Sequence, residues 1–158
     1  KFMIAISACL IGENVRYDGS HKLNDTLRQL VQEGKAIALC PEVLGGLTTP
    51  RPAAEIVGGD GFDVWSGRAK VIATTGEDVT EAFKEGALKT LELLQTHQCT
   101  AMILKSKSPS CGTSEIYDGT FSGDLKSGEG VCTALLIRHG ISIMNELNWR
   151  KKLDFTSI

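Results

Sequence analysis

Two short stretches carry the residue types most able to do chemistry. "KSKSPSCG", from Lys105 to Gly112, sets Cys111 among serine hydroxyls and two ammonium groups. "CPE" sets the carboxylate of Glu42 two residues after Cys40. Sulfur ligands gain from hydrogen-bond donors and positive charge nearby, and Gly112 lets backbone come close to a bound group. A carboxylate beside a metal or a lysine suits general acid–base work. The bland alternatives are a solvated turn, above all for Lys107, and a surface glutamate at the start of a loop. The remaining cysteines are Cys9, Cys99 and Cys132, making five. An odd count in a chain with no visible export signal argues against a disulfide framework and leaves free thiols, catalysis or metal binding.

The elements that must position these residues follow from hydrophobic patterning. "FMIAISA", "AIALC", "TAMILKS" and "ISIMNE" are short apolar runs bounded by turn residues and predict four buried strands. "NDTLRQLVQEGK" predicts a helix with Asn24 as its N-cap, an apolar face of Leu27, Leu30 and Val31, and Gly34 as its stop. "DVTEAFKEGALKTLELLQTHQ" and "GVCTALLIRHG" predict two more, the second closed by Gly140. The Gly-, Pro- and Asp-rich region between Leu44 and Asp78 reads as an irregular excursion with one hairpin at most. "EIYDGTFSG" reads as a small turn or hairpin at Asp118-Gly119. "GGDGFDVWSG" is not placed between a first strand and a helix as a dinucleotide fingerprint requires. "RYDG" and "IYDGTFSG" are first of all turns, although they could shape a pocket.

Apolar strands alternating with helices imply an α/β domain: a mostly parallel, Rossmann-like sheet with helices on both faces, spanning 1–158 as one unit. Such a sheet binds ligands beyond the carboxyl ends of its strands. Cys9, Cys40 and Cys111 each follow a strand and so share that edge. Cys99 precedes a strand, and Cys132 falls within a helix; both read as small packing residues. Three convergent thiolates suit a soft metal or an iron–sulfur cluster, whereas a structural zinc would want a fourth ligand. His21 is the nearest candidate, in a polar stretch that suits a solvated side chain. Three unrelated thiols remain the plain alternative. Arg51, between two prolines in "TTPRPAAE", could meet a polar substrate or form a loop salt bridge.

Composition sets outer limits. The chain has 158 residues, 42% hydrophobic and 23% charged, with net charge −2, ordinary values for a globular protein with a real core. Nothing in that balance favours a polyanion partner. No apolar run reaches membrane-span length, and the amino-terminal segment reads as a strand rather than a signal peptide, so a cytoplasmic location is expected.

Four blocks in order, "SACLIGENVRYDG", "CPEVLGGLTTPRPAAE", "LKSKSPSCGTSEIYDGTFSG" and "GEGVCTALLIRHGI", resemble the thiouracil desulfurase (desulfidase) family across about Ile4 to Ile143. The chain resembles its short members, without the second domain of longer relatives. The resemblance implies a 4Fe-4S cluster held by Cys9, Cys40 and Cys111, with one iron open to a thiocarbonyl sulfur. It implies non-redox removal of sulfur from 2-thiouracil or a related thiolated base, nucleoside or RNA, giving the oxo base and sulfide. Glu42 maps to the acidic catalytic position, and Lys105, Ser108 and Ser110 to the polar ones. Lewis-acid activation of the thiocarbonyl, followed by water addition assisted by Glu42, is chemically sound, with Lys105, Ser108 or Ser110 stabilising charge. A small thiolated base or nucleoside fits the mild acidity better than RNA. Two rivals use the same thiols: a metal or iron–sulfur redox-sensing module without catalysis, and a metal-free enzyme in which Cys111 accepts sulfur as a persulfide.

Overall fold

The computed structural model describes residues 3–12 and 24–152. Strand β1, Met3–Ser7, runs into a 3₁₀ turn, Ala8–Ile11. Helix α1, Asp25–Gln32, begins where the Asn24 side chain accepts the Leu27 amide at 3.1 Å, and it buries Leu27 and Leu30. Gly34, at φ 74°, turns the chain into β2, Ala36–Leu39. Pro41 opens the short α2, Pro41–Leu44, where its missing N–H costs nothing. The excursion holds an antiparallel pair, β3 (Ala54–Val57) and β4 (Lys70–Ala73), with α3 (Gly61–Ser66) between them.

Helix α4, Thr80–Thr96, leads to β5, Cys99–Leu104. The loop carrying Cys111 follows, then the hairpin of β6 (Glu115–Tyr117) and β7 (Leu125–Ser127). Helix α5 (Val131–Arg138), β8 (Ser142–Asn145) and α6 (Trp149–Lys152) complete the described chain.

The main sheet has the order β2-β1-β5-β8, with every pairing parallel. These are the four strands expected from the apolar runs. Alternate residues serve opposite faces. Ala5, Met102 and Leu104 join the core beneath α4 and α5, where Leu91, Leu94 and Leu136 are buried. Ile4, Ile6 and Ile103 join a second core with Leu27, Leu30 and Trp149. Helices therefore cover both faces, as doubly buried parallel strands require. The chain steps from β1 outward to β2 and returns on the other side of β1 as β5, so the order reverses beside β1. A crevice at the carboxyl ends is the geometric result.

The excursion is more ordered than its composition suggests. Asp60 and Asp63 cap α3 reciprocally: Asp60 accepts the Phe62 and Asp63 amides, and Asp63 accepts the Asp60 amide at 2.9 Å. Among the described residues, no helix is long and apolar enough to cross a membrane.

Candidate functional site

A cavity of about 380 Å³ lies at that carboxyl edge, and Cys9, Cys40 and Cys111 all line it. Cys9 is in the 3₁₀ turn after β1, Cys40 is the N-cap of α2 after β2, and Cys111 is in the loop after β5. Glu42, Lys105 and Ser108 line the same space. Cys99 opens β5 and so lies at the amino end of the strand. Cys132, in the first turn of α5, is fully buried and is not in the lining. It packs as expected, yet it stands near enough to Cys40 and Cys111 to share their electrostatics, a proximity that its helical position does not reveal. His21 and the "RYDG" turn lie outside the described residues.

The Cys111 loop is held from two sides. The Ser108 hydroxyl accepts the Cys111 amide at 2.7 Å, and the Ser108 carbonyl accepts the Gly112 amide at 2.8 Å. The start of α5 supplies the other grip. Amides of Gly130, Val131 and Cys132 donate to the carbonyls of Gly112, Pro109 and Ser110 at 2.9, 2.7 and 2.9 Å. A side chain on Gly130 would run into the Ser110 carbonyl, so only glycine allows this approach. Of the polar side chains in "KSKSPSCG", Ser108 braces Cys111 directly.

Burial pushes the Cys111 thiol well above its ordinary range, and Cys132, Cys40 and Glu42 add to the rise, while the Ser7 hydroxyl opposes it. Burial also raises Cys40, against the amides of Val43 and Glu42 at the start of α2 and the charge of Arg51. Without a compensating cation these sulfurs stay protonated. Coordination to a metal centre removes such protons outright.

Glu42 is fixed by Arg51. Nε and Nη2 of Arg51 each lie 3.0 Å from Glu42 Oε1, and the two side chains are 5% and 16% exposed. Nη1 of Arg51 also donates to the Thr48 carbonyl and the Thr49 hydroxyl at 3.0 Å. The loop salt bridge weighed for Arg51 is therefore present, and Arg51 lines the cavity as well. Lys105 is paired through Nζ with Glu146 at 3.2 Å. Glu146 in turn accepts the Ser106 amide and hydroxyl at 2.8 and 2.7 Å. Burial raises the Glu146 carboxyl, but the Ser106 bonds and Lys105 outweigh it and leave the group below its usual range.

Glu55 is a further lining residue. Its carboxylate accepts the Gly119 and Phe121 amides at 2.9 and 3.2 Å, holding the β6–β7 hairpin so that Tyr117 and Gly123 reach the cavity. Ser110 sits apart from the other expected residues. It is 1% exposed, does not line the cavity, and its hydroxyl has no hydrogen-bond partner among the described residues.

Sequence reasoning did not single out Ser7, Glu55 or Glu146. The only available signal was their position: Ser7 closes β1, and Glu146 follows β8 at the same edge.

The donor set discriminates between metals. Tetrahedral bonds of ~2.3 Å would bring three thiolate sulfurs to about 3.8 Å of one another around a single ion. Among the described residues, no three His, Cys, Asp or Glu side chains gather closely enough to hold one. A cluster of several irons spreads its thiolate ligands farther apart and takes cysteine by preference. Three cysteines around one cavity offer the ligand chemistry an iron–sulfur cluster takes.

Soft ligands, a fixed carboxylate and cations gathered at the switch point of a parallel sheet define an α/β protein built for sulfur or iron–sulfur chemistry. The sequence profile of the 2-thiouracil desulfurase family matches residues 4–148, and the chain belongs to that family. An uncharacterised Bacillus subtilis protein, YbbK, is 51% identical over 148 residues, 92% of this chain and 98% of its own. A solved structure of TudS, a [4Fe-4S]-dependent thiouracil desulfidase, superposes with a TM-score of 0.86 at 42% identity, covering 100% of both chains.

Proposed function

We propose that this chain is an iron–sulfur-dependent desulfidase that converts 2-thiouracil, or a related thiolated base or nucleoside, to the oxo base and sulfide without net redox change. The observation that carries the reading is the placement of Cys9, Cys40, Cys111, Glu42 and Lys105 around one cavity at the carboxyl edge. Family membership and the likeness to TudS support it. The three cysteines would hold a 4Fe-4S cluster, and residues 1–158 would work as one desulfidase-like unit.

When bound through three cysteines, the cluster supplies a soft Lewis-acid iron with an open position for a thiocarbonyl sulfur. The remaining work belongs to the chain. Glu42, aimed by Arg51, takes a proton from the water that adds to the thiocarbonyl carbon. The new C–O bond forms, the C–S bond breaks with its electron pair going to sulfur, and two protons end on the leaving sulfide. No oxidant or reductant is consumed. Lys105, steadied by Glu146, stabilises the negative charge that develops. Ser108 uses a lone pair on the Cys111 amide, which leaves its own proton for substrate. Ser110 does not line the cavity, so a part for it in the reaction would act through the Cys111 loop.

A cavity of about 380 Å³ is at the small end for ligand pockets. That size and the net charge of −2 support a free base or nucleoside over RNA. The test is anaerobic reconstitution with iron and sulfide, then titration with 2-thiouracil while recording the visible spectrum and assaying sulfide. A spectrum that responds to substrate, with sulfide released, is expected. A cluster indifferent to thiolated bases would favour the redox-sensing reading instead. Activity in the absence of iron would overturn the cluster reading and favour a metal-free enzyme that uses Cys111 as its nucleophile.

A further inference from the structure

Ser7 is the last residue of β1, between β2 and β5 in the sheet, and is only 3% exposed. A buried serine at a strand end ordinarily bonds to neighbouring backbone or to water. This one joins residues 98 and 104 positions away in sequence. Its oxygen accepts the Lys105 amide at 3.1 Å. The same oxygen lies 3.8 Å from Cys111 Sγ, within reach for a hydrogen bond to sulfur.

The direction of the second bond follows from counting protons. A serine hydroxyl has one proton and two lone pairs. The Lys105 amide can only donate, so it occupies a lone pair. The hydroxyl proton remains for the sulfur. A thiolate accepts such a proton far more strongly than a thiol does, because the bond becomes charge-assisted.

We propose that Ser7 is a positioning residue for the iron–sulfur centre: its hydroxyl donates to the Cys111 sulfur, fixes its direction into the cavity and stabilises it as a ligand thiolate. This rests on the cluster reading above. It adds a residue outside the three cysteines whose task is to hold one of them. The Lys105 amide is part of the device, since it fixes the hydroxyl from behind. Outer groups of this kind set ligand orientation and metal retention, and their loss costs roughly 10–100-fold in affinity.

The test uses the reconstituted protein and does not depend on turnover. In the reduced wild-type protein, electron–nuclear double resonance should reveal a cluster-coupled proton that exchanges in heavy water. Ser7→Ala should still take up iron but lose this proton, shift the midpoint reduction potential downward, and surrender iron to a chelator about tenfold faster. Ser7→Thr keeps the hydroxyl and should restore all three properties. Wild-type protein that holds iron but shows no such proton overturns the inference, a result that needs no variant to fold. So does a Ser7→Ala protein with unchanged potential and unchanged iron release. In both cases the cluster reading stands. Wild-type protein that takes up no iron overturns the cluster reading itself, and this inference falls with it.

Discussion

Glu42 and Arg51 act as a unit, and separating them should reveal what each contributes. Glu42→Gln keeps the size of the side chain and removes its base, so reconstituted protein should retain the iron–sulfur absorbance and lose turnover by about 10²–10⁴-fold. Sulfide release at the wild-type rate would remove Glu42 from the reaction. Arg51→Met leaves a mostly buried carboxylate without its cation. Stranding a buried charge costs about 3 kcal/mol, so the denaturation midpoint should fall below that of the wild type; an unchanged midpoint would mean that the pair does not stabilise the fold. Glu146 gives a pH signature. Its folded value lies below its ordinary 4.5, so it stabilises the protein at neutral pH, and this stabilisation is lost as pH falls from 4.5 through the folded value. Glu146→Gln should flatten the acid limb of a stability profile, read as denaturation midpoints against pH. Glu42 was legible because it sits two residues from Cys40. Arg51 was only half legible, because its partner lies across an irregular turn where no periodicity links the two. Glu146 was not legible at all, because its meaning comes from the neighbour of β8 in the sheet.

At the scale of elements, the position of Cys40 and Glu42 depends on how closely α2 approaches α4. A side chain on Gly86 would strike the Pro41 carbonyl, and one on Gly45 would strike the Ala82 carbonyl. Gly86→Ala should therefore cost about 1–3 kcal/mol through overpacking and displace α2 from the site. Reconstituted Gly86→Ala should lose iron faster than Cys99→Ser, which alters a buried residue at the far edge; equal retention would mean that α2 does not hold the centre. The four sheet strands and helices α1, α4 and α5 were readable because their apolar spacing is unambiguous. Helix α3 was not, because its caps are aspartates among glycines, a composition that also builds turns. Gly45, which caps α2, and Gly86 of α4 carry no signal in the sequence, and only the packed pair shows them to be points of contact.

For the whole molecule, the cluster would tie together the three segments that follow β1, β2 and β5. A group bound by the folded state alone stabilises it by linkage. Reconstituted protein should melt several degrees above the cluster-free chain, and an iron chelator should reverse the difference. Unchanged melting would mean that iron, if bound, is not held by the folded site. The parallel pairing of β1 with β5 also bears on how the protein is made. Cys9 and Cys40 leave the ribosome early, but their companion Cys111 lies beyond the excursion and α4, on the order of 10 s of synthesis later. Until β5 docks beside β1 there is no enclosed site, only separate thiols on a growing chain. On the three-cysteine reading, iron delivery would therefore follow folding rather than guide it, because the third thiol joins the other two only when β5 pairs with β1.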